Sequence, residues 1–213
     1  MEIEYVKPAD IEKRSFEILT AELEDRGIIP EGDTAPIIKR CIHTTADLDY
    51  VNTLKFSPEG VGVLKELIKK GSTVVTDTNM ALSGINKREL AKYGCKSFCF
   101  MADEGIKEEA ESRGLTRASV SMEKAMELKK PVIFVVGNAP TALITLWEHF
   151  ERKEYTPDFV IGVPVGFVNV EAAKELIANS SIPHIVNMGR KGGSNVAAAI
   201  VNAVLYMMRD ENQ

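Results

Sequence analysis

Short runs of β-branched and aromatic residues, separated by longer amphipathic segments, dominate this chain of 213 residues. The strongest run is VIFVV at positions 132–136, and four others occur at residues 73–76, 97–101, 159–163 and 184–187. Continuous apolar runs are typical of strands that are buried on both faces, and such strands occur in parallel sheets covered by helices. The pattern therefore predicts an α/β fold, with three α/β/α layers built around a mostly parallel sheet of about five strands.

Helical periodicity fills the intervals between these runs. The first helix is predicted for residues 10–26, and a second begins after the turn at Gly32 and ends before Asp47, where residues 47–57 interrupt the pattern. Further helices are predicted for residues 60–70, 87–92, 103–113, 117–129, 141–152, 170–179 and 194–208. Because no linker, repeat or low-complexity tract divides the chain, residues 1–213 are interpreted as one domain.

The composition excludes several classes of protein. A net charge of -5 argues against a nucleic-acid-binding protein, which usually carries a strongly basic domain. No apolar run approaches the roughly 20 residues that a membrane span needs, and the charged N-terminal segment is unlike a signal peptide. The cysteines, Cys41, Cys95 and Cys99, form no CxxC pair, and no histidine lies near the last two. We therefore expect a cytoplasmic protein with reduced thiols and no metal site.

One histidine, His43, stands beside two fixed cations. On a helix, successive residues are about 100° apart, so Lys39 and Arg40 share a face with His43 while Cys41 and Ile42 lie on the opposite face. A proton donor flanked by cations suits a substrate with several negative charges, although a solvated helix face is the structural alternative.

The other two histidines favour structural roles. His149 stands on a predicted helix beside Trp147 and Phe150, and His184 lies inside a predicted strand after Pro183. Neither is adjacent to residues that suggest catalysis or metal binding.

Loops rich in glycine and hydrogen-bonding residues follow four of the predicted strands, at residues 76–85, 137–141, 162–167 and 189–195. Ligands of open parallel sheets bind beyond the carboxyl ends of the strands, and glycine allows the backbone to approach a ligand closely. Ordinary turn chemistry is the alternative for each loop taken alone. Neither G-x-G-x-x-G nor G-x-x-x-x-G-K-[ST] occurs, so a nucleotide-using α/β enzyme is disfavoured.

Five segments carry a resemblance to a known family. They read RCIHTTADLDY, TDTNMALSGINK, VVGNAPTAL, DFVIGVPVGFVNVEAAKE and MGRKGGSNVAAAIVNA. Together they resemble the precorrin-8X methylmutases of cobalamin (corrin) biosynthesis, which include the cobalt-precorrin-8 methylmutases, and the resemblance extends from about residue 11 to residue 206. It implies an isomerase that moves a methyl group of a tetrapyrrole from C-11 to C-12, converting precorrin-8X to hydrogenobyrinate or the cobalt form to cobyrinate.

The resemblance also implies how the reaction proceeds. No redox cofactor or methyl donor is expected, because the methyl group never leaves the molecule. The family's catalytic histidine corresponds to His43, which serves as general acid. A homodimer is implied as well.

A flat macrocycle with acetate and propionate arms requires cations and hydrogen-bond donors around an apolar floor. The residues predicted to bind this substrate are Arg14, Arg40, Thr76, Asn79, Met80, Ser83, Gly84, Ile85, Arg117, Asn138, Gly166, Arg190 and Lys191. For individual members, a solvated helix face, core packing or turn closure remains the alternative. For the whole protein, the alternative is a corrinoid carrier that performs no catalysis.

Overall fold

A sheet of six strands forms the centre of the computed structural model, which describes residues 3–129 and 131–211. The strands are β1 (Leu54–Phe56), β2 (Thr73–Thr76), β3 (Lys96–Phe98), β4 (Val132–Val136), β5 (Phe159–Gly162) and β6 (His184–Asn187). Their spatial order is β1-β6-β5-β4-β2-β3. All neighbouring strands are parallel except β1, which pairs antiparallel with β6. The predicted α/β class with a mostly parallel sheet is confirmed.

Helices cover both faces of this sheet. They are α1 (Ile11–Asp25), α2 (Ala35–Thr45), α3 (Tyr50–Thr53), α4 (Gly60–Lys69), α5 (Asn79–Gly84), α6 (Lys87–Lys92), α7 (Ile106–Arg113), α8 (Arg117–Met126), α9 (Pro140–Glu151), α10 (Val170–Ala178) and α11 (Ser194–Asp210). One core contains Ile42 of α2 and Val204 of α11, and the other contains Met122 of α8 and Leu146 of α9. The predicted three layers are therefore confirmed. Within the described residues, no helix has the length and apolar character needed to span a membrane.

Strand β4 shows why the apolar runs are continuous. Ile133 and Val135 lie in the first core, whereas Val132, Phe134 and Val136 lie in the second. Successive side chains of a strand point to opposite faces, so both faces of β4 require apolar residues. The same double burial accounts for the predicted runs at β5 and β6, whose residues are all buried.

The prediction of about five strands was one strand short. Strand β1 lies within the segment that was predicted only to interrupt the helical pattern, and its three residues are too few to display a period. Its position at the edge is held by contacts with β6: the Thr53 hydroxyl donates to Asn187 at 2.7 Å, and the Ser57 hydroxyl accepts from the His184 amide at 2.9 Å.

Helix α5 occupies residues that were predicted to form a loop. The Thr78 hydroxyl accepts a hydrogen bond from the Ala81 amide at 3.1 Å and thereby caps the first turn. Elsewhere the predicted helices start or end a few residues away from the observed ones. The helix expected from residue 103, for example, begins at Ile106.

Candidate active site

The carboxyl ends of β2, β4, β5 and β6 meet at one edge of the sheet, and the predicted glycine-rich loops follow them there. The chain leaves β2 toward β3 on one side, whereas β4 lies on the other side of β2. The strand order therefore reverses between β2 and β4, and ligands of open α/β sheets bind in the crevice at such a reversal.

A buried carboxylate that the sequence analysis did not identify fixes this crevice. Asp77 directly follows β2, and its Oδ1 accepts from the Gly137 amide at 2.9 Å. Its Oδ2 accepts from the amides of Asn138 and Ala139 at 2.8 and 2.7 Å. Burial raises the pKa of Asp77, and the three backbone donors act in the opposite direction. The position of Asp77 immediately after an apolar strand was a signal that could have identified it.

The first turn of α11 closes against the same loops. The hydroxyls of Thr78 and Ser194 are 2.8 Å apart and share a hydrogen bond. At Gly137, a Cβ would stand 2.7 Å from the Ser194 Cα, so only glycine allows this approach between the two backbones. The loops after β2 and β4 are thereby joined to the start of α11.

Two buried polar side chains organise the loop between β6 and α11. Lys174 of α10 donates from Nζ to the carbonyls of Gly189 and Lys191 at 2.7 and 2.8 Å. Asn187 donates to the Lys191 carbonyl as well, at 2.8 Å. Burial lowers the pKa of Lys174 to about 8, with Glu171 opposing the effect. Lys174 lies on the apolar stripe of an amphipathic helix, where a lysine is unusual and could have been noted.

Helix α2 carries His43 as predicted, with Cys41 and Ile42 buried on the opposite face. The imidazole does not face solvent fully, because α1 packs over it. The Ser15 hydroxyl lies 2.9 Å from Nδ1 of His43, and the Phe16 ring stacks on the imidazole with centroids 5.0 Å apart. Among residues 3–129 and 131–211, no hydrogen bond to Nε2 is found, and this nitrogen is not fully buried.

Arg40 is held between aromatic rings on the same face of α2. Its guanidinium lies 4.7 Å from the Phe16 centroid and 5.2 Å from the Tyr206 centroid, and it forms an ion pair with Glu12. The hydrogen bond from Arg40 lowers the pKa of Glu12, and the charge of His43 adds a smaller effect in the same direction. Arg40 thus links α1, α2 and α11 next to the histidine.

The end of α2 reaches the glycine-rich edge. Lys191, in the loop after β6, contacts Asp47 at 2.7 Å and Asp49 at 3.2 Å. Helix α2 ends at Thr45, two residues after His43, and the left-handed conformation of Ala46 ends the helix before Asp47. His43 therefore precedes by four residues the aspartate that contacts the loop after β6.

Several of the predicted binding residues are exposed around this edge. Asn79, Met80 and Ser83 lie exposed on α5, and Arg117 and Asn138 are exposed on neighbouring segments. Arg117 and Asn138 belong to segments joined by the hydroxyls of Thr116 and Thr141, which are 2.8 Å apart, and the Asn138 amide donates to Asp77, two residues before α5.

Arg190 and Gly166 belong to adjacent loops. The Gly166 amide donates to the Arg190 carbonyl at 3.2 Å, and the Arg190 guanidinium lies 5.6 Å from the Phe167 centroid. Arg190 also pairs with Glu171 at 3.1 Å, in a contact that is exposed on both sides. These exposed pairs are weak, so an incoming carboxylate can replace them.

Four of the predicted binding residues have structural roles in this structure. Thr76 is buried, and its hydroxyl donates to the Thr78 carbonyl. Ile85 is buried in the first core. Gly84 packs against α11, where a Cβ would stand 2.8 Å from that of Ala198. Because Thr76 and Ile85 direct their side chains into the interior, neither presents a group to a ligand here.

Arg14 is the fourth of these residues. It lies on α1 and forms ion pairs with Glu4 at 2.7 Å and Glu17 at 3.4 Å, at an exposed position. This arrangement matches the solvated helix face that was the alternative for Arg14.

The other two histidines have the structural surroundings expected of them. His184 is buried, and its Nδ1 lies 2.7 Å from the Ile182 carbonyl. His149 contacts Glu154 at 2.9 Å and Glu123 at 3.6 Å.

A cavity of about 820 Å³ lies elsewhere, between the beginning of α2 and the end of α11. Its walls include Lys39, Arg40, Tyr206 and Asp210, but His43 does not line it. The volume is within the range of small-molecule pockets, about 300–1,000 Å³. The glycine-rich loops are not part of its walls, but Phe16, which stacks on His43, and Arg40 are, so the cavity adjoins the imidazole rather than the carboxyl edge of the sheet.

A doubly covered parallel sheet has loops joined by hydrogen bonds at its carboxyl edge and a half-buried imidazole on the helix whose following residues contact that edge, and this arrangement defines an α/β enzyme. The model of the precorrin-8X methylmutase family matches residues 10–207. The chain therefore belongs to the precorrin-8X methylmutase family, whose members are isomerases.

Individual relatives agree with this assignment. The cobalt-precorrin-8 methylmutase of Salmonella typhimurium is 43% identical over 210 residues, which cover 96% of this chain and 97% of the relative. The protein of the same name from Leptospira interrogans is 40% identical and covers 93% of both chains. The crystal structure of precorrin-8X methylmutase from Thermus thermophilus superimposes with a TM-score of 0.83 at 32% identity, covering 96% of this chain and all of that one.

Proposed function

We propose that this enzyme moves a methyl group from C-11 to C-12 of precorrin-8X or cobalt-precorrin-8, with His43 as the general acid. The observation that carries the proposal is the imidazole of His43, whose Nε2 is not fully buried while its Nδ1 is held by Ser15. Histidine can supply and recover a proton near neutral pH, which this reaction requires.

The proposed chemistry conserves the molecular formula. Nε2 of protonated His43 donates to the conjugated ring system, which draws electron density from the migrating centre. The C-11–methyl bond breaks and the C-12–methyl bond forms, with the methyl group moving together with its bonding electron pair. The ring then returns the proton to Nε2, so no cofactor or external methyl donor takes part.

The carboxylate arms are proposed to bind the exposed cations of the edge, Arg117, Arg190 and Lys191, together with the backbone around Gly166. Arg190 pairs with the exposed Glu171 and Lys191 with the half-buried Asp47, and pairs near the surface contribute only about 0–1 kcal/mol. A polycarboxylate ligand replaces them without a large loss.

The apolar faces of the ring are proposed to pack against Met80 of α5 and Phe167 of the loop after β5. In this structure 73% of Met80 and 82% of Phe167 are exposed. Both side chains belong to segments that follow strands at the carboxyl edge of the sheet, so their apolar surfaces are available to a ligand bound there. Asn79, Ser83 and Asn138 are proposed to donate hydrogen bonds to the arms.

The protein is also proposed to be a homodimer. Light scattering after gel filtration tests this proposal, and a homodimer should give twice the mass of one chain.

The decisive experiment compares His43→Asn with the wild type and with His149→Asn. Rearranged conjugation changes the absorption spectrum of precorrin-8X, so turnover is followed directly. We expect the His43 variant to lose turnover while still showing a thermal shift with hydrogenobyrinate, and the His149 variant to retain turnover. Full activity of the His43 variant would refute the acid role, and binding without any spectral change by the wild type would favour the carrier alternative.

The names of the relatives favour the cobalt form as substrate. Relatives at 39–43% identity are named cobalt-precorrin-8 methylmutases, whereas those at 29–32% are named precorrin-8X methylmutases. We expect kcat/KM to be higher with cobalt-precorrin-8 than with precorrin-8X. Equal values for the two substrates would remove this preference.

A further inference from the structure

We infer that Ser15 is a positioning residue for His43. Its hydroxyl oxygen accepts a hydrogen bond from Nδ1–H, which leaves Nε2 as the nitrogen that exchanges a proton with the substrate. This inference rests on the proposed acid role of His43. Its structural basis is the 2.9 Å contact between the Ser15 Oγ and the His43 Nδ1, from a helix that packs over the imidazole.

Three contacts between α1 and α2 have a common origin in helical spacing. On α1, Glu12, Ser15 and Phe16 are related by i,i+3 and i,i+4 spacing and so share a face. On α2, Arg40 and His43 are three residues apart and face them. Glu12 pairs with Arg40, Phe16 stacks on both partners, and Ser15 contacts the imidazole. The apolar and ionic contacts therefore hold α1 in place without the serine.

The direction of the hydrogen bond follows from the acid form. A protonated imidazole is a donor at both nitrogens and accepts at neither. In that state the Ser15 oxygen must accept from Nδ1, and the Nε2 proton is directed away from α1. After Nε2 gives up its proton, the Nδ1–H bond to Ser15 is unchanged, so the neutral ring has its proton on Nδ1 and its lone pair at Nε2.

The Phe16 ring limits rotation of the imidazole. The two rings are 5.0 Å apart and inclined by 19°, so they are nearly parallel. A half-turn of the imidazole would keep the stacking but move Nδ1 away from the serine. The hydroxyl thus selects one of two orientations that the stacking alone leaves equivalent.

Charged groups lie on every element packed around the pair. They are Glu12 and Arg14 on α1, Lys39 and Arg40 on α2, and Arg209 on α11, which acts on Glu12. A pH-dependent effect of a Ser15 variant must therefore be compared with a variant that changes the charge of α1 without touching the imidazole. Glu12→Gln is that variant, because it removes the pairing with Arg40 and leaves the hydroxyl in place.

The first test measures the tautomer in the free protein by long-range proton–nitrogen NMR of the histidine rings. Above its titration, neutral His43 is expected to have its proton on Nδ1 in the wild type and in Ser15→Thr. In Ser15→Ala, the population with the proton on Nε2 is expected to increase. A wild-type ring with its proton on Nε2 would overturn the inference, and this result does not depend on turnover.

The second test measures the pH dependence of kcat. Ser15→Ala is expected to lower kcat by about 10-fold or more, because it removes a hydrogen bond whose donor, the protonated imidazole, is charged; little change in KM is expected. Ser15→Thr should restore kcat. Ser15→Asp places a negative charge beside the ring and favours its protonated form, so the pH at which activity declines should move upward. In Glu12→Gln this pH should differ from the wild-type value by less than in Ser15→Asp.

The outcomes separate the two proposals. If His43→Asn is inactive while Ser15→Ala keeps the wild-type kcat and pH profile, the role of Ser15 is wrong and the acid role stands. If His43→Asn retains wild-type turnover, the acid role fails whatever the tautomer. Should Ser15→Asp not fold, Ser15→Thr and the NMR measurement still decide the role of Ser15.

Discussion

Replacing Asp77 by alanine should be among the most destabilising single changes in this protein. The carboxylate accepts three backbone hydrogen bonds at 2.7 to 2.9 Å and is fully buried. A hydrogen bond to a charged group contributes about 1.5–3 kcal/mol, so the loss of three at the lower value is about 4–5 kcal/mol. That is a large part of a typical free energy of unfolding, about 5–15 kcal/mol.

Asp77→Asn refines this prediction, because the two oxygens have different partners. Oδ2 accepts from two amides and Oδ1 from one, so an asparagine whose oxygen takes the place of Oδ2 keeps two bonds. Its NH₂ group then opposes the Gly137 amide, and we expect a loss of about 2–3 kcal/mol.

Urea unfolding followed by circular dichroism measures both variants, with the exposed Asp25→Ala as the matched control. Asp25→Ala should change the free energy of unfolding by less than about 0.5 kcal/mol. The reasoning would be refuted if Asp77→Ala lost less than about 1 kcal/mol, or if Asp77→Asn were less stable than Asp77→Ala.

Three further predictions concern the same edge of the fold. Gly192→Ala should lower the free energy of unfolding by more than about 3 kcal/mol, because φ is +158° and a Cβ would stand 2.1 Å from the Val163 carbonyl oxygen. Its control is Gly62→Ala on α4, where a Cβ would meet nothing within 4 Å. In urea unfolding, Gly62→Ala should be more stable than the wild type by about 0.5–1 kcal/mol. Burial lowers the pKa of Lys174 from 10.5 to about 8, so the unfolded chain binds more protons between these values, and wild-type stability should rise from pH 8 to pH 10 by more than that of Lys174→Met. Thr78→Val removes the cap of α5 and should lower thermal or urea stability by about 1 kcal/mol; no change would show that the cap is dispensable.

The arrangement of layers was accessible from the sequence because burial on both faces leaves a continuous apolar run. Strand β4 is the clearest case, since its residues alternate between two cores and all must be apolar. Strand β1 lacks this signal: Leu54 is buried, but Lys55 is exposed, and the strand exists only through its pairing with β6. Helix α5 was hidden because small and hydrogen-bonding residues, typical of loops, also suit a short capped helix.

The candidate site was only partly accessible for a related reason. The face of α2 that carries His43 followed from helical spacing, but its cover by α1 did not. The partners of the site come from distant parts of the chain: Ser15 lies 28 residues before His43, and Asp77 bonds to residues about 60 positions later. Such contacts depend on the tertiary arrangement, which periodicity in one segment does not reveal. The burial of Thr76 and Ile85 was not foreseen, because a sequence shows which loop a residue belongs to, but not whether its side chain points inward.

The pairing of β1 with β6 has a consequence for the order of folding. Residues 54–56 find their strand partner only at residues 185–187, and α2 packs chiefly on the last helix, α11. Contacts this far apart in sequence raise the contact order of the fold and slow its assembly. During synthesis the first quarter of the chain must therefore wait for the last thirty residues before its apolar surfaces are covered, so a nascent chain truncated before β6 should depend on chaperones to stay in solution.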